Sequence, residues 1–117
     1  MKVSRVPSQF EVQHLAGSTF PEDDEWIALV RAPEGLTVVR EVPPWAEADS
    51  WVGFYAGAGA PDRFGSAALA ALVGPLGEAG IPTFVASTHH ADLVLVPHHS
   101  GVAASDILRA AGHTVVD

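Results

Sequence analysis

The changes of hydrophobic period between Trp51 and Val116 restrict the fold of this chain more than any other feature. Trp51-Val52-Gly53-Phe54-Tyr55 is a β-rich run that leads into the glycine-rich loop Gly57-Ala58-Gly59-Ala60-Pro61-Asp62. From Ser66 to Ala79 the spacing becomes helical, with Leu69, Leu72, Val73 and Leu76 on one stripe and Gly80 as a stop. Two more strand-like runs follow, Ile81 to Thr88 and Asp92 to Val96. Only His89-His90-Ala91 separates them, so antiparallel pairing is the economical reading. A second helix is expected from Gly101 to Ala111, with Ser100 as N-cap, apolar Val102, Ile107, Leu108 and Ala111, and Gly112 at its end. Thr114-Val115-Val116 supplies a last strand. The order strand, helix, strand, strand, helix, strand predicts an α+β fold of the ferredoxin-like βαββαβ type, with two helices on one face of an antiparallel sheet.

Pro75 is dissonant with this pattern. A proline inside a helix removes one backbone hydrogen bond and crowds the carbonyl four residues back, so the last turn of the first helix is expected to be distorted.

The first part of the chain reads as strands alone. One is expected around Phe10–His14, and a hairpin is expected from Glu25–Val30 and Leu36–Val42 across the turn Ala32-Pro33-Glu34-Gly35. Pro43-Pro44-Trp45 through Ser50 suits a connector, because proline has no ladder donor. A boundary is therefore expected there, dividing a β-rich unit of residues 1–48 from the βαββαβ domain of residues 49–117.

Composition narrows the function. Apolar residues make up 48% of the chain and charged residues 17%, which supports a packed core and argues against disorder. A net charge of −8, with only six Lys and Arg, would repel a phosphate backbone, so nucleic acid is a poor partner. There is no cysteine for disulfide or thiolate chemistry. Neither a membrane-spanning apolar run nor the apolar core of a signal peptide in Met1–Phe10 is present, which makes the cytoplasm the expected compartment.

The segment Val73-Gly74-Pro75-Leu76-Gly77-Glu78-Ala79-Gly80-Ile81-Pro82-Thr83-Phe84, followed by Ser87-Thr88, Asp92 and Leu95-Val96-Pro97, resembles the ACT-domain family. It is most similar to bacterial tandem-ACT proteins and to the animal cytosolic arginine sensors of the CASTOR type. The resemblance spans roughly Trp51 to Val116 and includes the proline at Pro75; before Ser50 it is weaker and suggests a reduced ACT-like unit. It implies a non-catalytic sensory or allosteric module without a cofactor, a homodimer, that binds an amino acid where two ACT units face each other. By position, Thr88, His89 and Asp92 match the ligand-contacting strand end, Asp92 being where a carboxylate meets the ligand's amino group. Asp62, Gly65 and Ser66 match the loop and helix entrance on the other side of that pocket. Two positions depart from the arginine sensors: His89 replaces an aromatic ring, and Gly65 replaces the acidic partner of a guanidinium.

The residues themselves offer a similar chemistry. A free amino acid needs N–H donors for its carboxylate and an acceptor for its ammonium. Gly57 and Gly59 would let backbone approach a ligand, and the helix starting at Ser66 presents unpartnered N–H groups. The same glycines also suit an ordinary tight strand-to-helix turn. Asp92 begins an aliphatic strand, where it serves either an ammonium or the turn before it.

Other features compete. The pairs His89-His90 and His98-His99 raise the alternative of a metal-binding protein or a small hydrolase, although neighbouring strand residues point to opposite faces. A structural dimerisation domain without a ligand is a further alternative. Trp26, Trp45 and Trp51 suit packing or a binding surface, and Glu22-Asp23-Asp24-Glu25 suits a solvated loop tip. No nucleophile elbow, Walker loop, dinucleotide fingerprint or His-Glu-x-x-His pattern occurs.

Overall fold

The computed structural model describes residues 1–17, 20–21, 23–43, 49–58 and 65–117. Its elements run β1 (Lys2–Ala16), β2 (Trp26–Ala32), β3 (Gly35–Val42), β4 (Trp51–Ala56), α1 (Ser66–Glu78), β5 (Phe84–Ser87), β6 (Asp92–Pro97), α2 (Gly101–Ala110) and β7 (Thr114–Val116). A single 3-10 turn, His98–Ser100, leads into α2. The strand and helix order from β4 onward is the expected one, and the chain is a mixed α/β protein dominated by antiparallel sheet.

The sheet has seven strands in the order β2-β3-β1-β4-β6-β5, with β7 added beside β1. β1 is far longer than the Phe10–His14 strand expected. On one side it pairs with β4, and on the other it meets first β7, in parallel at Lys2–Ser4, and then β3, antiparallel at Gln9–Ala16. β1 thus lies between β4 and β7, the first and last strands of the expected βαββαβ unit. Pro7, which would interrupt a regular ladder, falls in the register shift between Arg5 and Gln9, where a bulge needs no donor. The boundary expected at 48/49 falls between β3 and β4, within one continuous sheet.

Alternation sorts the strand side chains onto two faces. Val3, Val52, Phe54, Ala56, Val94, Val96 and Val115 pack with Leu72 and Leu76 of α1 and Ala104 and Leu108 of α2. The other face holds a smaller cluster of Phe10, Val39 and Leu95, against which Trp51, Phe84 and Leu93 pack. Trp26 is exposed on β2, and Trp45 lies outside the described residues.

Both helices end in the same way. Gly80 and Gly112 take positive φ (73° and 96°), and the next residue donates back to the carbonyl five earlier, Ile81 to Leu76 and His113 to Leu108, each at 3.0 Å. This stop, with Pro82 beyond it, delays β5 to Phe84. α1 continues through Pro75 to Glu78. The carbonyl that Pro75 leaves without a helical donor is that of Ala71, and His113 Nε2 lies 2.9 Å from it. The helix runs through the proline, and a side chain outside it supplies the missing donor. Two details of α2 differ from expectation: Ser100 makes no capping hydrogen bond, since the 3-10 turn already continues into the helix, and Val102 is 71% exposed.

Candidate functional site

Asp92 opens β6, with Ala56 at the end of β4 on one side and Ser87 at the end of β5 on the other. By alternation its side chain shares the helix-covered face with Val94 and Val96, at the end of the sheet where β4 leaves toward α1. It is only 6% exposed. A buried carboxylate needs hydrogen-bond donors, and Ser87 supplies one: its hydroxyl donates to Asp92 Oδ1 at 2.7 Å.

Gly57 follows β4 with φ 93°, a conformation that favours glycine, and a Cβ there would stand 3.7 Å from Asp92 Oδ2. The turn out of β4 therefore passes directly over the carboxylate. Residues 59–64, including the candidate Asp62 and Gly59, lie outside the described residues. The chain is described again at Gly65, the extended N-cap residue of α1, and Ser66 begins the helix. Gly65 has no side chain with which to cap this start, and no acidic residue stands in the first turn of the helix. Among the described residues, the positive end of α1 thus has no local acidic complement.

Thr88 and His89 occupy the β5–β6 hairpin. The Thr88 hydroxyl accepts from the N–H groups of His90 (3.2 Å) and Ala91 (3.0 Å) and donates to the Ala91 carbonyl (3.0 Å). It organises the turn that delivers Asp92. His89 is exposed and stands edge-on to His90, with ring centroids 4.9 Å apart. Asp92, Thr88 and His89 are therefore joined through one hairpin, and Ser87, which was not among the candidate residues, is added to them. Ser87 becomes identifiable only once the hairpin register pairs it with Asp92.

The two histidine pairs lie at opposite ends of β6, about 17 Å apart at the usual strand rise. Among the described residues, no three His, Asp or Glu side chains gather as a metal site. His98 does meet a serine, its Nδ1 lying 3.3 Å from Ser50 Oγ, but Ser50 is only 5% exposed, a poor position for a nucleophile. No helix among the described residues is long and apolar enough to cross a membrane.

No curated protein matches the chain. Among solved structures, protein Atu0741 from Agrobacterium tumefaciens is similar, at 24% identity and a TM-score of 0.79, covering 98% of this chain and 91% of its own. VC0802 from Vibrio cholerae, a protein of unknown function described as a possible transport protein, is similar at 22% identity and a TM-score of 0.70. That match covers 91% of this chain and 85% of its own. These likenesses establish the shared fold. The ACT-domain family matches residues 61–110, the stretch that contains α1, the Ser87–Asp92 hairpin and α2, so the chain carries an ACT domain there.

Proposed function

We propose that the protein is a non-catalytic regulatory domain that binds a small molecule, an amino acid or related metabolite, between the Ser87–Asp92 hairpin and the start of α1. The observation that carries this reading is the buried Asp92 carboxylate, held by Ser87 and overlain by the Gly57 turn. A carboxylate in that position suits a ligand's ammonium, and the positive end of α1, where the N-cap is a glycine, suits its carboxylate. The ACT domain at residues 61–110 supports a small-molecule regulatory role.

The ligand would lie at an interface between two ACT units of a cytoplasmic homodimer. It would signal by binding one subunit arrangement more tightly than another, so that an unidentified partner protein reads the change. Gly65, with no side chain to pair a guanidinium, favours a ligand other than arginine.

A thermal-shift screen of the dialysed protein against the twenty amino acids tests this. A ligand at about 100 times its dissociation constant adds about 2.7 kcal/mol of stability. The expected result is one stabilising amino acid whose effect disappears in Asp92→Asn. Stabilisation by zinc and by no amino acid would overturn the reading in favour of the histidines.

A further inference from the structure

The bulge in β1 has a second consequence. It opens a cleft of about 570 Å³ whose lining includes Arg5, Gln9, Val52, His98 and Asp117. Small-molecule sites typically occupy roughly 300–1,000 Å³. The cleft lies at the far end of β4 from Asp92, since Val52 pairs with Val96 whereas Ala56 pairs with Asp92. The separation along the strand is about 13 Å.

Arg5 faces the helix side of the sheet opposite Phe54. Its guanidinium lies against the first residue of α2: a Cβ on Gly101 would stand 3.2 Å from Arg5 Nη2 and 3.1 Å from Val52 Cγ2. Gly101 therefore makes the room the guanidinium occupies. That placement sets a full positive charge beside the junction of the 3-10 turn and α2, whose first turn has no acidic residue to balance it. Among the described residues, the guanidinium has no hydrogen bond or ion pair with any protein group. A chain with only six Lys and Arg thus holds, among those residues, a partly buried and unpaired cation in a cleft wall.

We infer that this cleft is a second ligand site, for a small hydroxy- or amino-carboxylate whose carboxylate is clamped by Arg5 at the start of α2. A guanidinium matches a planar carboxylate with two parallel N–H donors. Asp117 sets the limit on charge: with one Arg and one Asp in the lining and a net charge of −8, a dianionic phosphate meets more repulsion than a monoanion does. Asp117 also favours a hydroxyl or ammonium donor on the rest of the molecule. His98, anchored through Nδ1 to Ser50, and Gln9 contribute the remaining polar wall.

The test is a titration of isotope-labelled protein, followed by amide and guanidinium NMR signals at constant ionic strength, with sodium lactate, alanine and inorganic phosphate as probes. Lactate or alanine should give saturable shifts at Gly101 and at the Arg5 guanidinium. Arg5→Lys should weaken them about tenfold by losing the paired donors. Arg5→Met should abolish them, and Asp92→Asn should leave them unchanged. Saturable shifts lost in Asp92→Asn would assign the binding to the hairpin site and overturn this one. So would the absence of saturation by both organic acids, tighter binding of phosphate, or unchanged binding by folded Arg5→Lys.

Discussion

His113 Nε2 donates to the Ala71 carbonyl at 2.9 Å, and Ala71 is the residue four positions before Pro75. The carbonyl accepts, so Nε2 carries the proton; Nδ1 faces the Met1 amino nitrogen at 3.2 Å. His113 is 9% exposed, so loss of its ring would leave the carbonyl in a largely dry site. His113→Ala should destabilise the fold by about 1–3 kcal/mol, read from denaturant midpoints. In a Pro75→Ala background, residue 75 regains an N–H for the Ala71 carbonyl, so the same substitution should cost less. A double-mutant cycle should return a coupling of at least about 0.5 kcal/mol, and an additive cycle would refute the compensation.

Glycine substitutions should act in opposite directions at two positions. Gly57 has φ 93°, so Gly57→Ala should destabilise by about 1–2 kcal/mol from backbone strain and shift the turn over Asp92. Gly74 sits inside α1 with open space where a Cβ would stand, so Gly74→Ala should stabilise by about 0.5–1 kcal/mol. Thermal unfolding of the two variants side by side checks both signs.

Asp23, on the acidic stretch before β2, accepts from the Glu25 backbone N–H at 3.1 Å and from Arg40 Nη1 at 2.9 Å. The backbone bond first, and then Arg40, hold its carboxyl below the ordinary value of 3.8. A carboxylate with a lowered folded pKa contributes its stabilisation above the unfolded value and loses it as pH falls through the folded one. The Asp23–Arg40 contact should therefore persist at neutral pH and open only on acidification below 3.8. A carbon-detected NMR titration should place the Asp23 midpoint under that value, and Asp23→Asn should remove the acid dependence of the Arg40 side-chain signals.

The element order from Trp51 onward was readable because period-2 and helical spacings alternate cleanly and Gly80 and Gly112 punctuate them. β1 was not readable in full: Pro7 and the polar residues Ser4, Arg5, Ser8 and Gln9 interrupt its alternation, and only pairing on both edges extends it. Asp92 stood out as a carboxylate at the head of an aliphatic run. Ser87 did not, because a serine gains its role only from a cross-strand register. The Arg5 cleft was hidden for the same reason, since it depends on a bulge that brings residues 5 and 9 opposite a strand some forty residues later.

The Ser87–Asp92 pair separates a binding role from a merely structural one. Ser87→Ala leaves the carboxylate of buried Asp92 without one of its donors, so it should destabilise the fold by about 1–3 kcal/mol. Asp92→Asn keeps an oxygen to accept from Ser87 and has nearly the same volume, so its stability loss should be the smaller of the two. Its effect on ligand binding should be the larger, because the negative charge that attracts an ammonium is gone while the hairpin remains. Measuring unfolding free energy and amino-acid affinity on both variants gives the decisive comparison. If Asp92→Asn bound the stabilising amino acid as tightly as the wild type, the carboxylate would be a hairpin fastening and the ligand's ammonium would have to be held elsewhere.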